Sequence, residues 1–524
     1  MAPGTVAGTA GLDSKVTELI DPHKKWHNNR RLIVLNSWIF LLLITSSTNG
    51  FDGSMMNGLQ SLPQWKLAFN DPDGAKLGLL GAIQNIGGFS ALPFSPYITD
   101  TFGRRVAVFL GCVLMIIGAA LQTASQTVEM FIGARFLLGF GLTFAANSAP
   151  LLVAELSYPT YRAPLTSMYN SMWYSGSIVA AWSTFGTFKI NSSWSWRVPS
   201  LLQALPSLIQ IGLIFICPES PRWLVSKGRN EEALKTLAYY HADGNDQDPL
   251  VQYEFEEIKA AIELDKANKN IGWLSLIKTS GNRKRLRVIA AIAFFSQWSG
   301  NGLISYYLTK VLDQLGITNP TTQLLINGLL QIWNLFWALS AAVFVERVGR
   351  RFLFITSTAG MLVWYILQTV GLAVFSNTGA DAAAHATIAF IFLFYAFYDI
   401  AWSPLIVTYT VEILPYQIRA KGMTFFSFVI SLTLIFNQYV NPIALKDLEW
   451  KYYIVYDVWL LVELIFVYFY IVETKGKTLE ETAALFDGDD ADKLANIASE
   501  AVHGQEREDT DSKEKVDLDG KSSQ

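Results

Sequence analysis

Cysteine and histidine are scarce in this 524-residue chain, two of the first and five of the second. Cys112 and Cys217 both lie in or beside apolar runs, which leaves no disulfide framework and reads as core packing. His23, His27, His241, His385 and His503 all fall in tails or loops, so a histidine relay through the apolar runs is excluded by position. No Cys/His/Asp/Glu spacing suits a metal, no Gly-rich loop suits a phosphate, and no nucleophile stands beside a base. Neither a cofactor nor enzyme chemistry is therefore expected. Charge is sparse too: charged residues make up 16% of the chain and the net charge is −4, which gives no basic surface for nucleic acid. The first 30 residues lack a short apolar core followed by a small-residue cleavage site, so no removable signal peptide is expected.

Apolar residues are abundant, at 51%. They gather into runs near 32–52, 77–98, 106–125, 130–151, 166–187, 198–217, 287–308, 323–345, 352–375, 386–409, 423–444 and 453–472. Each is about the length of a bilayer crossing, roughly 20 residues. Backbone in lipid has no water to bond, so the runs are expected to be helices. The short loops holding Arg104–Arg105, Arg162, Arg347–Arg351 and Arg419–Lys421 are basic, which places them in the cytoplasm. An even number of crossings then puts both termini there as well.

The chain also repeats itself. Asp100-Thr-Phe-Gly-Arg-Arg105 returns as Glu346-Arg-Val-Gly-Arg-Arg351, Glu155 through Arg162 as Glu412 through Arg419, and Pro218-Glu-Ser-Pro-Arg222 as Val472-Glu-Thr-Lys-Gly476. The matching acids are offset by 246, 257 and 254 residues. Two homologous halves around a central cavity are the signature of a carrier. The boundaries expected are a tail over 1–31, a six-helix bundle over 32–217, a linker with short amphipathic helices over 218–286, a second six-helix bundle over 287–472, and an acidic, mostly disordered tail over 473–524. Trp194, Trp196, Trp450, Tyr452 and Tyr453 read as interfacial anchors, and Asn191-Ser-Ser193 is a glycosylation triplet on the outer side.

Ionisable residues in apolar runs normally find partners and mark a pathway. Asp52 ends the first run and Arg135 lies within the fourth, and the two are expected to meet as a proton-handling pair; a static structural ion pair is the plainer alternative. Asp399 and Glu463 are rival carboxylates. Gln297 and Asn301 fall one helical turn apart in the seventh run. Asn170, Asn334, Asn437, Gln438 and Asn441 add to an unusual stock of intramembrane amides, with Trp402, Trp298, Trp333 and Tyr306 nearby. Amides and aromatic faces suit a neutral polyhydroxylated solute, since hydroxyls bond the amides and a sugar's C–H face stacks on rings. Amides also simply glue helices together.

With Gly50-Phe-Asp-Gly53, Gly133-Ala-Arg135 and Glu473-Thr-Lys-Gly476 added to the repeats, residues 30–480 resemble the sugar porters of the major facilitator superfamily, and within them the fungal lactose permeases and cellodextrin transporters. The resemblance implies an all-α membrane protein, with twelve transmembrane helices in two pseudo-symmetric six-helix bundles. It implies that Asp52 and Arg135 are the proton-coupling pair and that Asn170, Gln297 and Asn334 bind sugar. It further implies that Arg104, Glu155, Arg162, Glu219, Arg222, Glu346, Arg350, Glu412, Arg419 and Glu473 form a cytoplasmic gate of ion pairs between the halves. Two departures stand out. The family's Gln-Gln pair is Ser296-Gln297 here with its Asn displaced to Asn301, and the tenth-run Trp is replaced by Val407, with Trp402 one turn away. The expectation is a monomeric plasma-membrane symporter of a mono- or disaccharide with a proton. A facilitative uniporter, a non-transporting sugar sensor and a drug exporter are the alternatives.

Overall fold

The computed structural model describes residues 19–20, 24, 26–268, 273–475, 482 and 485–486. The acidic tail from Asp487 onward lies outside them. Among the described residues all regular structure is helical. The longer helices in the first half are α1 (Arg30–Gln60), α2 (Gly74–Ala91), α3 (Arg104–Ala124), α4 (Val128–Leu156), α5 (Pro159–Thr187), α6 (Trp194–Leu202) and α7 (Ala204–Leu213). The linker forms α8 (Asn230–His241) and α9 (Pro249–Asn268). The second half has α10 (Ser280–Trp298), α11 (Asn301–Gln314), α12 (Pro320–Val348), α13 (Arg350–Thr378), α14 (Asp381–Ala401), α15 (Leu405–Ile413), α16 (Tyr416–Leu448) and α17 (Tyr452–Tyr470).

Every apolar run of the sequence is thus helical, as one helix or as a broken pair. Seven helical segments among the described residues are long and apolar enough to cross a membrane. An eighth appears if Gly74–Ala91 and Ser95–Phe102, bent by 48°, count together. The fifth, sixth and seventh runs fall outside that set. Ser, Thr, Asn and Tyr dilute α5, while breaks at Gln203 and at Ser299–Gly300 divide the other two.

Packing repeats across the two halves. Within the first, α1 lies against α5 and α4 against α2 and α3; within the second, α13 packs on α14 and α17, and α10 on α16. Across the centre α2 meets α16, α5 meets α12 and α1 meets α11, the pairing a twofold axis would produce. Glycine permits the closest approach: a Cβ on Gly50 of α1 would run into the Trp173 carbonyl, and one on Gly176 of α5 into the Ser47 carbonyl.

Helices α8 and α9 of the linker lie beside the first half and bury a small core of their own, in which Phe255 joins Trp223, Leu224 and Leu237; Ile262 is buried too, and Ser275–Lys278 packs instead on the second half. His241, placed in a loop by sequence, is the buried last residue of α8. Its ring nitrogens lie 2.7 Å from Glu254 Oε2 and 3.2 Å from the Leu156 carbonyl. His385 likewise lies in α14, as its fifth residue, rather than in a loop. Of the expected interfacial aromatics, Trp194 is exposed, but Trp196, Tyr452 and Tyr453 are buried. Trp196 belongs to an aromatic cluster with Phe69 and Phe131, whose shared burial outweighs any pull toward an interface.

Candidate functional site

Asp52 is fully buried on α1. Gln203, at the break between α6 and α7, donates to its Oδ1, and Gln84 of α2 donates to its Oδ2 at 3.3 Å. The other end of the Gln84 amide accepts from Arg135 Nη2 at 2.8 Å, while Arg135 Nε donates to the Leu80 carbonyl at 2.9 Å. Asp52 and Arg135 therefore come together without touching: the Gln84 amide spans the gap. Direct pairing, as expected from sequence, is replaced by a relay of donor and acceptor. Gln84 and Gln203 escaped sequence reasoning because an amide in an apolar run looks like helix glue. They lie in the second and sixth runs, apart from the charged first and fourth, so the sequence held no signal that joins them to Asp52 and Arg135.

Beside this relay lies a chamber of about 300 Å³ between the halves. Arg135, Gln84, Asn85, Gln60, Trp173 and Tyr174 line it from the first half. Gln297, Asn301, Gln331, Asn334, a group of tyrosines (306, 307, 395, 398), Trp402 and Ser403 line it from the second. Asp52 stands one layer behind the wall. Four polar atoms of the lining are buried with no partner: Arg135 Nη1, Gln60 Oε1, Asn301 Oδ1 and Asn334 Oδ1. Burying an unsatisfied polar group costs about 1–3 kcal/mol, so turning these side chains toward a solute that bonds them is favoured.

The other expected substrate residues fall in three places. Gln297 and Asn301 both line the chamber, but no continuous helix carries them, because the seventh run breaks at Gly300, whose φ is +85°. Only glycine fits there, since a Cβ would strike the Tyr365 ring. Trp402 belongs to the wall but is fully buried, its indole N–H committed to Thr358 Oγ1 at 3.1 Å and its ring packed edge-on against Phe295 and Phe354. Asn170 lies outside the lining and is exposed, one turn toward the basic end of α5 from Trp173 and Tyr174. Asn437 is behind the wall and donates to the Gln297 carbonyl, a bracing rather than a contacting position.

The repeated charged motifs differ from expectation in their partners. Arg104 bonds Glu155 at 3.2 Å, and Glu219 accepts from the N–H groups of Arg104 and Arg105. In the second half Arg350 bonds Glu412 at 2.9 Å and Glu473 accepts from the N–H groups of Arg350 and Arg351. Burial raises Glu473, yet the N–H groups of Lys475, Arg350, Arg351 and Thr474 prevail and hold it below its usual value. Arg162 pairs with Glu254 of the linker at 3.4 Å, Arg419 donates to the Leu414 carbonyl, and Arg222 lies in the first turn of Pro221–Ser226. Glu346 is helical, with a side chain outside the described set. In this conformation each described pair closes within its own half or onto the linker. Bonds between halves sit elsewhere. At the end away from the basic loops, Asp73 bridges Lys310 and Lys446 at 3.4 Å each and Ser61 meets Thr309 at 2.8 Å, and in the chamber wall Asn85 donates to Gln438 at 2.7 Å. On the basic side of the chamber the Tyr174 hydroxyl donates to Asp399 Oδ1 at 2.6 Å and lies 2.9 Å from Ser403 Oγ.

Two packed helical halves enclosing a polar chamber, with buried charge beside it and no reactive group, define a membrane carrier. The family profile described as "Sugar (and other) transporter" matches residues 38–486, and the chain belongs to that family. It is a transporter and not an enzyme. The high-affinity glucose transporter of Kluyveromyces lactis is 29% identical over 466 residues, covering 84% of this chain and 83% of that one. Among solved structures, the inward-open xylose transporter XylE from E. coli superimposes with a TM-score of 0.71 at 22% identity, covering 86% of this chain and 99% of that one. A structure of XylE described as a proton:xylose symporter bound to 6-bromo-6-deoxy-D-glucose gives 0.69 at 22% identity over the same shares.

Proposed function

We propose that this chain imports a neutral mono- or disaccharide together with a proton across the plasma membrane, as a monomer, by alternating access, with its basic loops and both termini in the cytoplasm. The observation that carries the reading is the Asp52–Gln84–Arg135 relay, whose last two members form part of the chamber wall. A hydroxyl group offers one donor and two acceptors. It therefore suits a lining that leaves carbonyl oxygens of Gln60, Asn301 and Asn334 and one N–H edge of Arg135 unpaired. An anionic solute would find those three carbonyls repulsive. The volume stands at the small end of the roughly 300–1,000 Å³ typical of ligand pockets, which favours one or two sugar rings. The names of the glucose and xylose transporters that the chain resembles support the same class.

Coupling follows from the amide. Gln84 offers N–H to Asp52 and its oxygen to Arg135, so a solute hydroxyl that engages Arg135 competes for the guanidinium and frees the amide to turn. Its grip on the Asp52 carboxylate changes with it, and so does the ease with which Asp52 takes a proton. A potential of about 100 mV supplies roughly 2.3 kcal/mol and one pH unit roughly 1.4 kcal/mol. Together they sustain accumulation on the order of several hundred-fold.

The test is uptake of labelled glucose, xylose, lactose and cellobiose at two external pH values, in cells lacking their own sugar carriers. Acid-stimulated, protonophore-sensitive accumulation is expected; uptake indifferent to a protonophore would instead assign a uniporter. An absence of uptake of any sugar would overturn the substrate class.

A further inference from the structure

Glu463 is a carboxyl group that the relay does not use. It lies in the middle of α17 with no exposed surface and no place in the chamber lining. No Lys, Arg or His among the described residues pairs with it; both of its oxygens instead lie 2.9 Å from Ser299 Oγ, with the Trp459 indole as a further polar neighbour whose N–H either form of the acid can accept. Ser299 is the last residue before Gly300, at the break of the seventh run, and its hydroxyl also contacts the Phe295 carbonyl. Proton counting decides the state. A carbonyl only accepts, and so does a carboxylate, but Ser299 brings a single proton to both. With Glu463 ionised, one of the two contacts would be oxygen against oxygen with nothing between. With Glu463 as the neutral acid, its O–H donates to Ser299 and the Ser299 O–H donates to Phe295, and both contacts are bonds. A buried carboxylate lacking a cation is costly on general grounds as well.

A second strand reaches the same break from the same helix. Tyr452 and Tyr456 of α17 donate to Asn441 Oδ1 at 2.8 and 2.7 Å, Asn441 donates to Asn437, and Asn437 donates to the Gln297 carbonyl. Thus α17 grips residue 297 through α16 and residue 299 directly. The residues flanking the break, Gln297 and Asn301, are those that reach the chamber.

We infer that Glu463 is a positioning residue for the substrate: as a neutral acid it donates to Ser299, fixes the break, and so sets Gln297 and Asn301 in the wall, without carrying the transported proton. This rests on the chamber being the sugar site. Glu463→Gln keeps a donor in place and is expected to hold KM within about two-fold of the unmodified chain, while Glu463→Leu and Ser299→Ala each raise KM roughly ten-fold with kcat little changed. All three are expected to keep the acid stimulation of uptake, at equal surface expression. A flattened pH profile in Glu463→Gln would overturn the inference. A readout independent of substrate accompanies it: the infrared difference spectrum between the purified chain and Glu463→Gln should contain the carbonyl band of a protonated carboxylic acid throughout the neutral pH range. A carboxylate band in its place would equally sink the inference, and would do so even if no tested sugar were carried.

Discussion

The first and seventh apolar runs are counterparts in the two halves, yet they are built differently. The first is one unbroken helix of 31 residues carrying a fully buried acid; the seventh is cut at Ser299–Gly300 and brings amides and tyrosines to the chamber. The first half holds the relay of Asp52, Gln84 and Arg135, and the chamber wall of the second half contains no charged side chain. Duplication supplied one scaffold twice. On the proposed symport reading the difference between the copies would divide the labour: the first half carries the charged relay, and the second presents amides and tyrosines without charge to the same chamber.

Asp52→Asn attacks that division most directly. Concentrative uptake should collapse by on the order of a hundred-fold, to simple equilibration, while exchange of labelled for unlabelled sugar continues; intact sugar-driven proton uptake in this variant would abolish the distinction between the halves. Next comes Gly300→Ala, which forces a side chain into left-handed backbone and against Tyr365. A cost of about 1–3 kcal/mol is expected, seen as a lower melting temperature and a KM raised by at least ten-fold. Tyr174→Phe removes the hydroxyl that joins the halves on the basic side. About 1 kcal/mol should be lost from that closure, read as a several-fold faster alkylation of a cysteine placed at Ser403.

The smallest effect is expected at Asp73, at the opposite end. Burial raises this carboxyl, but the Lys310 charge, the Gly74 N–H and hydrogen bonds from Lys310 and Lys446 outweigh it and hold it below its usual 3.8. A lowered folded value means that the bridge is fully formed above the ordinary carboxylate range and is lost as pH falls through the lowered value. The group is partly exposed, so after screening its contribution stays under about 1 kcal/mol. Asp73→Asn should open this end no more than about five-fold, measured by labelling of a nearby cysteine, and should remove the acid dependence of that labelling.

Much of this was legible in the chain. All twelve apolar runs are helical because lipid-length hydrophobic stretches leave the backbone no other choice. Asp52 and Arg135 were found from the cost of charge in such runs, and the helices of the linker from its amphipathic pattern, in which Phe255, Ile258 and Ile262 recur at helical spacing. What escaped depends on three-dimensional neighbours. Gln84 bridges a gap whose width no sequence states. Asn437 and Asn301 look alike on paper, but the break at Gly300 carries Asn301 into the wall, while Asn437 on α16 is held behind it by its bond to the Gln297 carbonyl. The motif pairing was recoverable: Arg104 with Glu155 recurs as Arg350 with Glu412, and a contact present in both copies is most simply internal to each.

The attachments of the linker have a mechanical consequence. Arg162 and the Leu156 carbonyl hold it through Glu254 and His241, while Lys24 and Asn29 hold Asp243. All of these anchors belong to the N-terminal side of the molecule, so under the proposed alternating access helices α8 and α9 would travel as cargo of one rocker arm. A fluorophore on the exposed face of α9 would report the swing of that arm alone, and a binder clamped there would add drag without closing the mouth.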